Sequence, residues 1–255
     1  MTRILEKMSL LGLSLLLISA FSISTALPPM LDYYSPSFSA AQVELLVSVP
    51  SFSVVAMLLL NSFIDKWLSD RQLIVTGLLL LSSAGIFPFF VQAYPLVLLS
   101  RIAFGMGIGL INAKAIAIIS QRYQGKERVQ MLGIRGSMEL IGGASCSLLV
   151  GQLLKIHWTF AFLIYGFGFV ILIMYLLFVP SMEQKQITKR KQVLNKKDLG
   201  MILGMALLAG FVICINSSIS LRVPLFQVAG KTIESGQSAL VLSLEQGIGI
   251  VAGLS

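Results

Sequence analysis

The chain has 255 residues, of which 56% are hydrophobic and 12% charged, with a mean hydropathy of +0.89 and a formal net charge of +8. An ordinary soluble domain carries about 25% charged residues, so this composition excludes a soluble enzyme and a disordered chain. It also excludes a nucleic-acid-binding domain, because that function needs Lys and Arg on one water-facing patch. Here they fall as short punctuation between long apolar runs.

A bilayer core calls for about 20 apolar residues per helix. Runs of that length cover 8–31, 43–64, 72–92, 95–119, 131–154, 158–179, 199–221 and 237–255. They predict eight transmembrane helices joined by short connections. None alternates as a membrane β-strand of about ten residues does. The predicted class is therefore all-α, a polytopic membrane helical bundle. The first run follows Arg3 and Lys7, but it is longer than the roughly 7–15 residues of a signal peptide's apolar region. It is read as a retained first helix.

The loops set the topology through their basic residues. Arg3 and Lys7, Lys66 and Arg71, then Arg122, Lys126 and Arg128, then Lys185, Lys189, Arg190, Lys191, Lys196 and Lys197 share one side. Only Lys155, Arg222 and Lys231 fall on the other. The N-terminus is predicted to be cytoplasmic, in a plasma or bacterial inner membrane. Cys146 and Cys214 lie in apolar runs, where cysteine behaves as a small hydrophobe. His157 sits in a short loop beside Trp158, with an interfacial position and a proton relay as its two readings.

Residues 180–198 form the longest polar stretch, either a solvated linker or a contact for anionic lipid. Beyond it the sequence restarts. At a shift of 195 residues, Pro29 meets Pro224, Gln42 meets Gln237, Leu45 meets Leu240 and Ser48 meets Ser243. Parallel six-helix halves are an architecture of secondary transporters. The expected organisation is a six-helix bundle over 1–180, a basic cytoplasmic linker over 181–198, and the start of a second bundle over 199–255. The period predicts further second-half helices as partners needed to complete the fold.

Charges inside membrane helices are costly and mark function or helix pairing. Helix 4 carries Arg101 and Lys114, helix 5 carries Arg135 and Glu139, and helix 8 carries Glu245. At 100° per residue, Arg101 and Asn112 differ by about 20° and share a face, with Gly105 between them. Lys114 is about 140° away; it either snorkels or pairs structurally, or takes part in transport. On helix 1, Asp32, Thr25 and Ser14 form one polar stripe, as a substrate pathway requires. Asp32 is expected to pair with Arg101 in the outer half, or to cap the helix end. Arg135 and Glu139 are spaced for a pair on one helix face, with Lys114 as a competing partner for Glu139. Substrate and proton pathway candidates are thus Asp32, Arg101, Asn112, Lys114 and Glu139. Gly105, Gly107 and Gly109 in helix 4, Gly136, Gly142, Gly143 and Gly151 in helix 5, and Gly200 and Gly204 in helix 7 are expected where backbones approach closely.

These features carry a family resemblance. The end of helix 2, Asn61-Ser62-Phe63-Ile64-Asp65-Lys66-Trp67-Leu68-Ser69-Asp70, resembles the Gly-x-Leu-Ala-Asp-Arg-x-Gly-Arg-Arg motif of the major facilitator superfamily at Asp65 and Lys66. Helix 4, Leu99-Ser100-Arg101-Ile102-Ala103-Phe104-Gly105-Met106-Gly107-Ile108-Gly109, resembles the family's helix 4 motif, with Arg101 at its functional arginine. Arg128 and Trp158-Thr159-Phe160-Ala161-Phe162 also fit the family pattern. Gly143 and Gly151 align with the helix 5 motif of drug–proton antiporters, although Ser147 and Leu148 replace its Gly-Pro. Ala26-Leu27-Pro28-Pro29-Met30 is similar to multidrug efflux members.

The resemblance implies a cytoplasmic charge lock at Asp65 and Lys66, and proton coupling at Arg101. It implies a secondary active transporter working by alternating access, with a small-molecule substrate and protons as partners within the lipid bilayer. Proton-coupled efflux of small organic compounds is the expected activity. An importer of sugars or other metabolites, and a non-transporting scaffold or receptor, are the rivals. No nucleophile–base, metal-ligand or phosphate-loop pattern appears, so no catalytic role, cofactor or metal is expected.

Overall fold

The computed structural model describes residues 9, 11–15, 22–65, 67–179, 240–241 and 244. The basic linker, helix 7, most of helix 8, Lys66, Gly200, Gly204 and Glu245 lie outside the described residues. The regular structure among the described residues is helical. A 3-10 turn, Ile23–Ala26, leads into α1 (Leu27–Tyr34). Then follow α2 (Ala40–Ile64), α3 (Asp70–Phe90), α4 (Tyr94–Arg122) and α5 (Gly125–Leu153). A 3-10 stretch, Trp158–Gly166, runs into α6 (Phe167–Phe178).

Local chemistry sets the boundaries. Ser39 and Ser69 begin α2 and α3 with the same device: each hydroxyl accepts the backbone N–H three residues on, and Gln42 or Gln72 accepts the cap's own N–H in return. This reciprocal box satisfies donors that a helix start leaves orphaned. Pro95 opens α4, where its missing N–H costs nothing. The reversal between α4 and α5 passes through Gly125 at φ 55°, a left-handed conformation suited to a residue without Cβ.

Four segments among the described residues are long and apolar enough to cross a bilayer: Ala40–Asn61, Asp70–Phe90, Tyr94–Arg122 and Trp158–Phe178. Helix α5 is as long as α4 but carries Lys126, Glu127, Arg128, Arg135 and Glu139, which lower its apolar character.

Helix α4 packs between α2 and α3, and α3 in turn packs on the segment 158–178. The turn Ile23–Ala26 packs on α5 and on the 3-10 stretch. Glycines make the α4 contacts possible. A Cβ on Gly105 would strike the Pro50 carbonyl of α2, and one on Gly109 would lie 2.7 Å from the Met57 Cβ. Gly107 faces the other way, onto the Gly77 carbonyl of α3. Positions 105 and 109 therefore serve one neighbour and 107 the other, as a helix with two packed faces requires. On α5, a Cβ on Gly142 would strike the Leu15 carbonyl. Beside it, the Ser22 hydroxyl donates to the Gly143 carbonyl (3.3 Å) and accepts from Ser147 (3.2 Å), while Gly151 is buried.

Candidate transport site

Arg101 sits eight residues into α4 and is 1% exposed. Its guanidinium carbon lies 4.4 Å from the Phe104 ring centre, 5.1 Å from Phe162 and 5.3 Å from Tyr165. Phe104 is on the same helix, one turn on. Phe162 and Tyr165 come from the 3-10 stretch. A 3-10 helix repeats every three residues, so side chains three apart eclipse, and the two rings present one wall. Placing an arginine at a membrane helix centre costs about 3 kcal/mol on insertion scales. A desolvated cation–ring contact returns about 2 kcal/mol, so three rings suffice without a counter-ion. Among the described residues Arg101 makes no ion pair.

Two expectations are corrected here. Asp32 is exposed near the end of α1 and is not joined to Arg101. Its backbone carbonyl accepts the Ser35 hydroxyl at 3.1 Å. The helix 1 stripe is not one open face: Ser14 and Thr25 are fully buried in the bundle, and Thr25 donates to the Ser22 carbonyl. Helical phase places residues on a face, but neighbouring helices decide whether that face is packed or open.

A second arginine is treated differently. The Arg135 Nη2 donates to Asn112 Oδ1 of α4 at 2.7 Å and meets Glu139 Oε1 at 2.6 Å. Arg135 and Glu139 keep 11% and 22% of their side-chain areas exposed. Arg135 lies ten residues into α5 and Asn112 ten residues before the end of α4. Each is about 15 Å along its helix from the α4–α5 turn; measured from the ends of the predicted spans at 119 and 131, Asn112 lies about 10 Å deep and Arg135 about 6 Å. Asn112 and Glu139 thus meet through Arg135, a residue outside the candidate set.

Lys114 pairs with neither. Its Nζ lies 2.6 Å from Asp65 Oδ1 and 2.7 Å from Asp70 Oδ1, tying α4 to the turn between α2 and α3. The lysine is nearly buried, while the carboxylates remain about a third exposed. Asp70 was absent from the candidate set; its place at the end of the helix 2 motif was the available signal. At the same end, Arg71 donates to the Leu176 carbonyl of α6 at 3.1 Å.

The opposite end is held by aromatic rings. Tyr34 meets Tyr33, Phe38, Tyr94 and Trp158 with ring centres 4.9–6.1 Å apart. Its hydroxyl donates to the Gln92 carbonyl at 2.5 Å, linking α1 to the α3–α4 turn. Tyr34 lies beyond the predicted span, and burial, helped by Tyr33 and Tyr94, pushes its phenol up to about 12. It therefore stays a neutral donor at physiological pH. His157 is exposed and caps the 3-10 stretch, its Nδ1 accepting the Thr159 N–H at 3.4 Å. A cavity of about 740 Å³ between α5 and α6 is lined by Ile141, Cys146, Leu149, Leu163, Phe167 and Val170 among others. No charged side chain lines it among the described residues.

Long apolar helices, close glycine contacts and charges retained at membrane depth define a multi-pass membrane protein of the transporter type. The family model of the Major Facilitator Superfamily matches residues 9–255, and the chain belongs to that family of membrane transporters. The cyanate transport protein CynX of Escherichia coli (strain K12) is 26% identical over 136 residues, covering 53% of this chain and 34% of that protein. Three solved structures share the fold. A bacterial homologue of the human lysosomal transporter Spinster, inward-facing and unoccupied, matches with a TM-score of 0.73 and 17% identity over 94% of this chain and 58% of that one. A D-xylose–proton symporter matches at 0.66 and 14%, over 96% and 67%. A structure from the proton-dependent oligopeptide transporters matches at 0.60 and 16%, over 97% and 52%. The chain thus spans about a third of the curated relative's length in the matched region, and about three fifths of the first solved neighbour.

Proposed function

We propose that the complete protein is a proton-coupled secondary transporter of small organic solutes, working by alternating access in a plasma or bacterial inner membrane. The six-helix bundle 1–180 rocks against a second bundle that begins at 199, with the basic linker 181–198 and the N-terminus on the cytoplasmic side. The observation that carries this reading is Arg101, a buried charge that costs free energy to insert and that no carboxylate neutralises among the described residues. Such a charge is retained for a conformational or coupling role. Lys114, Asp65 and Asp70 fasten the cytoplasmic end of α4 to the α2–α3 turn, so that these elements move as one body.

Uptake by symport is the preferred direction, supported by the D-xylose–proton symporter among the proteins of similar fold, and cyanate is a candidate solute from the cyanate transport protein among the similar proteins. Efflux is the second reading, supported by the efflux-like outer end of helix 1 at Ala26–Met30. Membrane vesicles of both orientations, bearing the complete protein and an imposed proton gradient, separate the two. Gradient-driven entry of cyanate or xylose into right-side-out vesicles supports symport. Gradient-driven entry of a cationic dye into everted vesicles, with neither solute moved, supports efflux. Movement of none of the three under either gradient overturns transport.

A further inference from the structure

We propose that Arg135 is the binding residue for a monoanionic solute, and that Glu139 is its internal placeholder, released and protonated when the solute binds. The proposal rests on the transporter reading and names the substrate class of the α4–α5 polar site.

The geometry of Arg135 carries the argument. Both of its polar contacts, to Asn112 and to Glu139, use the same nitrogen, Nη2. Nη1 makes no hydrogen bond among the described residues and is not among the enclosed polar atoms that lack partners, whereas Nε is. A guanidinium takes a carboxylate most strongly through two parallel N–H···O bonds. Glu139 uses one of its oxygens on one nitrogen. The pair is therefore made but, among the described residues, not saturated: Nη1 has no partner there, beside a carboxylate that keeps 22% of its side-chain area exposed. Asn112 fixes the guanidinium from the neighbouring helix, so the arginine stays in place when Glu139 leaves.

Charge balance then follows. An incoming carboxylate or similar monoanion replaces Glu139 on Arg135, taking Nη1 and Nη2 together. Glu139 is left without its counter-charge at membrane depth, which is costly, and takes up one proton. The loaded site carries Arg135⁺, the solute anion and neutral Glu139. The empty site carries Arg135⁺ and Glu139⁻. Both have zero net charge, so the bundle crosses between its two orientations with the same electrostatic cost, moving one proton with each anion. No bond other than the O–H of Glu139 is made or broken.

The surroundings leave this exchange undisturbed. Lys114 of α4 is held by Asp65 and Asp70. Arg101 of α4 is enclosed by rings. The described helix 1 residues against α5, Leu15 and Ser22, are uncharged, and α6 contains no ionisable acid or base other than Tyr175.

The test is equilibrium binding of radiolabelled acetate, benzoate and cyanate to the purified complete protein at about pH 5.5 and about pH 8. Uptake of xylose and of a cationic dye into proteoliposomes is measured in parallel as the separate check on transport itself. The wild type is expected to bind at least one of the three anions, about tenfold more tightly at the lower pH. Glu139→Gln should bind that anion at both pH values with the affinity of the wild type at low pH. Arg135→Gln should lose binding while its circular dichroism and elution profile stay unchanged. The double variant Arg135→Gln/Glu139→Gln, which leaves no charge unpaired, should also fail to bind and controls for misfolding. The proposal is overturned if none of the three anions binds, if Arg135→Gln binds like the wild type, or if Glu139→Gln keeps the pH dependence. Xylose or dye movement alongside such a result would leave the transporter reading standing.

Discussion

Two arginines at membrane depth in adjacent helices are housed in opposite ways. Arg101 is surrounded by Phe104, Phe162 and Tyr165 and lacks a carboxylate among the described residues. Arg135 holds Asn112 and Glu139 through one nitrogen, while its Nη1 makes no hydrogen bond among the described residues. The first arrangement fixes a charge with non-exchangeable partners. The second fixes it with a carboxylate that an external anion can replace. The lesson is that the partner's chemistry, more than depth, decides whether a buried charge can exchange its partner for a solute: Arg135 can, whereas Arg101 keeps its rings and acts as a fixed charge. Lys114 belongs with Arg135 in being paired, but two carboxylates share it, which makes it a fastening.

Substitutions break the comparison in graded steps. Removing the lysine alone, as in Lys114→Met, leaves Asp65 and Asp70 repelling each other beside an apolar side chain. Stripping one partner from a buried pair costs about 3–5 kcal/mol, and partial exposure of these carboxylates lowers the expectation to about 3 kcal/mol. The complete protein's thermal unfolding in detergent reads this as a large fall in Tm. An unchanged Tm would mean that the cluster is solvated in the membrane. Arg135→Leu strands Glu139 and should cost about 2 kcal/mol, with most of the loss recovered in Arg135→Leu/Glu139→Gln, as a double-mutant cycle requires. Additive losses would show that the two side chains are not coupled. At the aromatic end, Tyr34→Phe removes one hydrogen bond to the Gln92 carbonyl while keeping the rings, for about 1 kcal/mol. Because the phenol is pushed up to about 12, the bond's contribution should be constant from neutral pH to about pH 10 and decline only as the tyrosine ionises.

Much of this was legible in the sequence, and the exceptions have physical causes. Apolar run length located α2, α3, α4 and the 158–178 segment within a few residues, because a bilayer selects length directly. The serines that cap α2 and α3 lie just ahead of the predicted starts at 43 and 72. The spacing of Arg135 and Glu139 could be read from a single helix. Partners across helices could not. Helical phase gives Arg101 a face, and Phe104 one turn on, but not Phe162 and Tyr165, which come from a stretch wound as 3-10 where an ordinary helix is expected. Asp70 escapes sequence reading because a lysine about 12 Å before the end of α4 reaches the α2–α3 turn only once the helices are packed. Shared depth and opposite charge suggest a pair of Asp32 with Arg101, but they cannot show the aromatic cage, which supplies what an acid would have supplied.

The most direct test is Arg101→Leu in the complete protein, measured twice: by Tm in detergent, and by solute-driven proton movement into proteoliposomes. Leu removes the insertion cost of the charge, about 3 kcal/mol, together with its ring contacts, about 2 kcal/mol each when desolvated, so the net change in stability is small or a modest loss. The account predicts a folded variant, with a Tm equal to or modestly below that of the wild type, together with loss of proton-coupled transport. A variant that transports at the wild-type rate, or one that loses transport only because it no longer folds, would contradict a functional charge at Arg101.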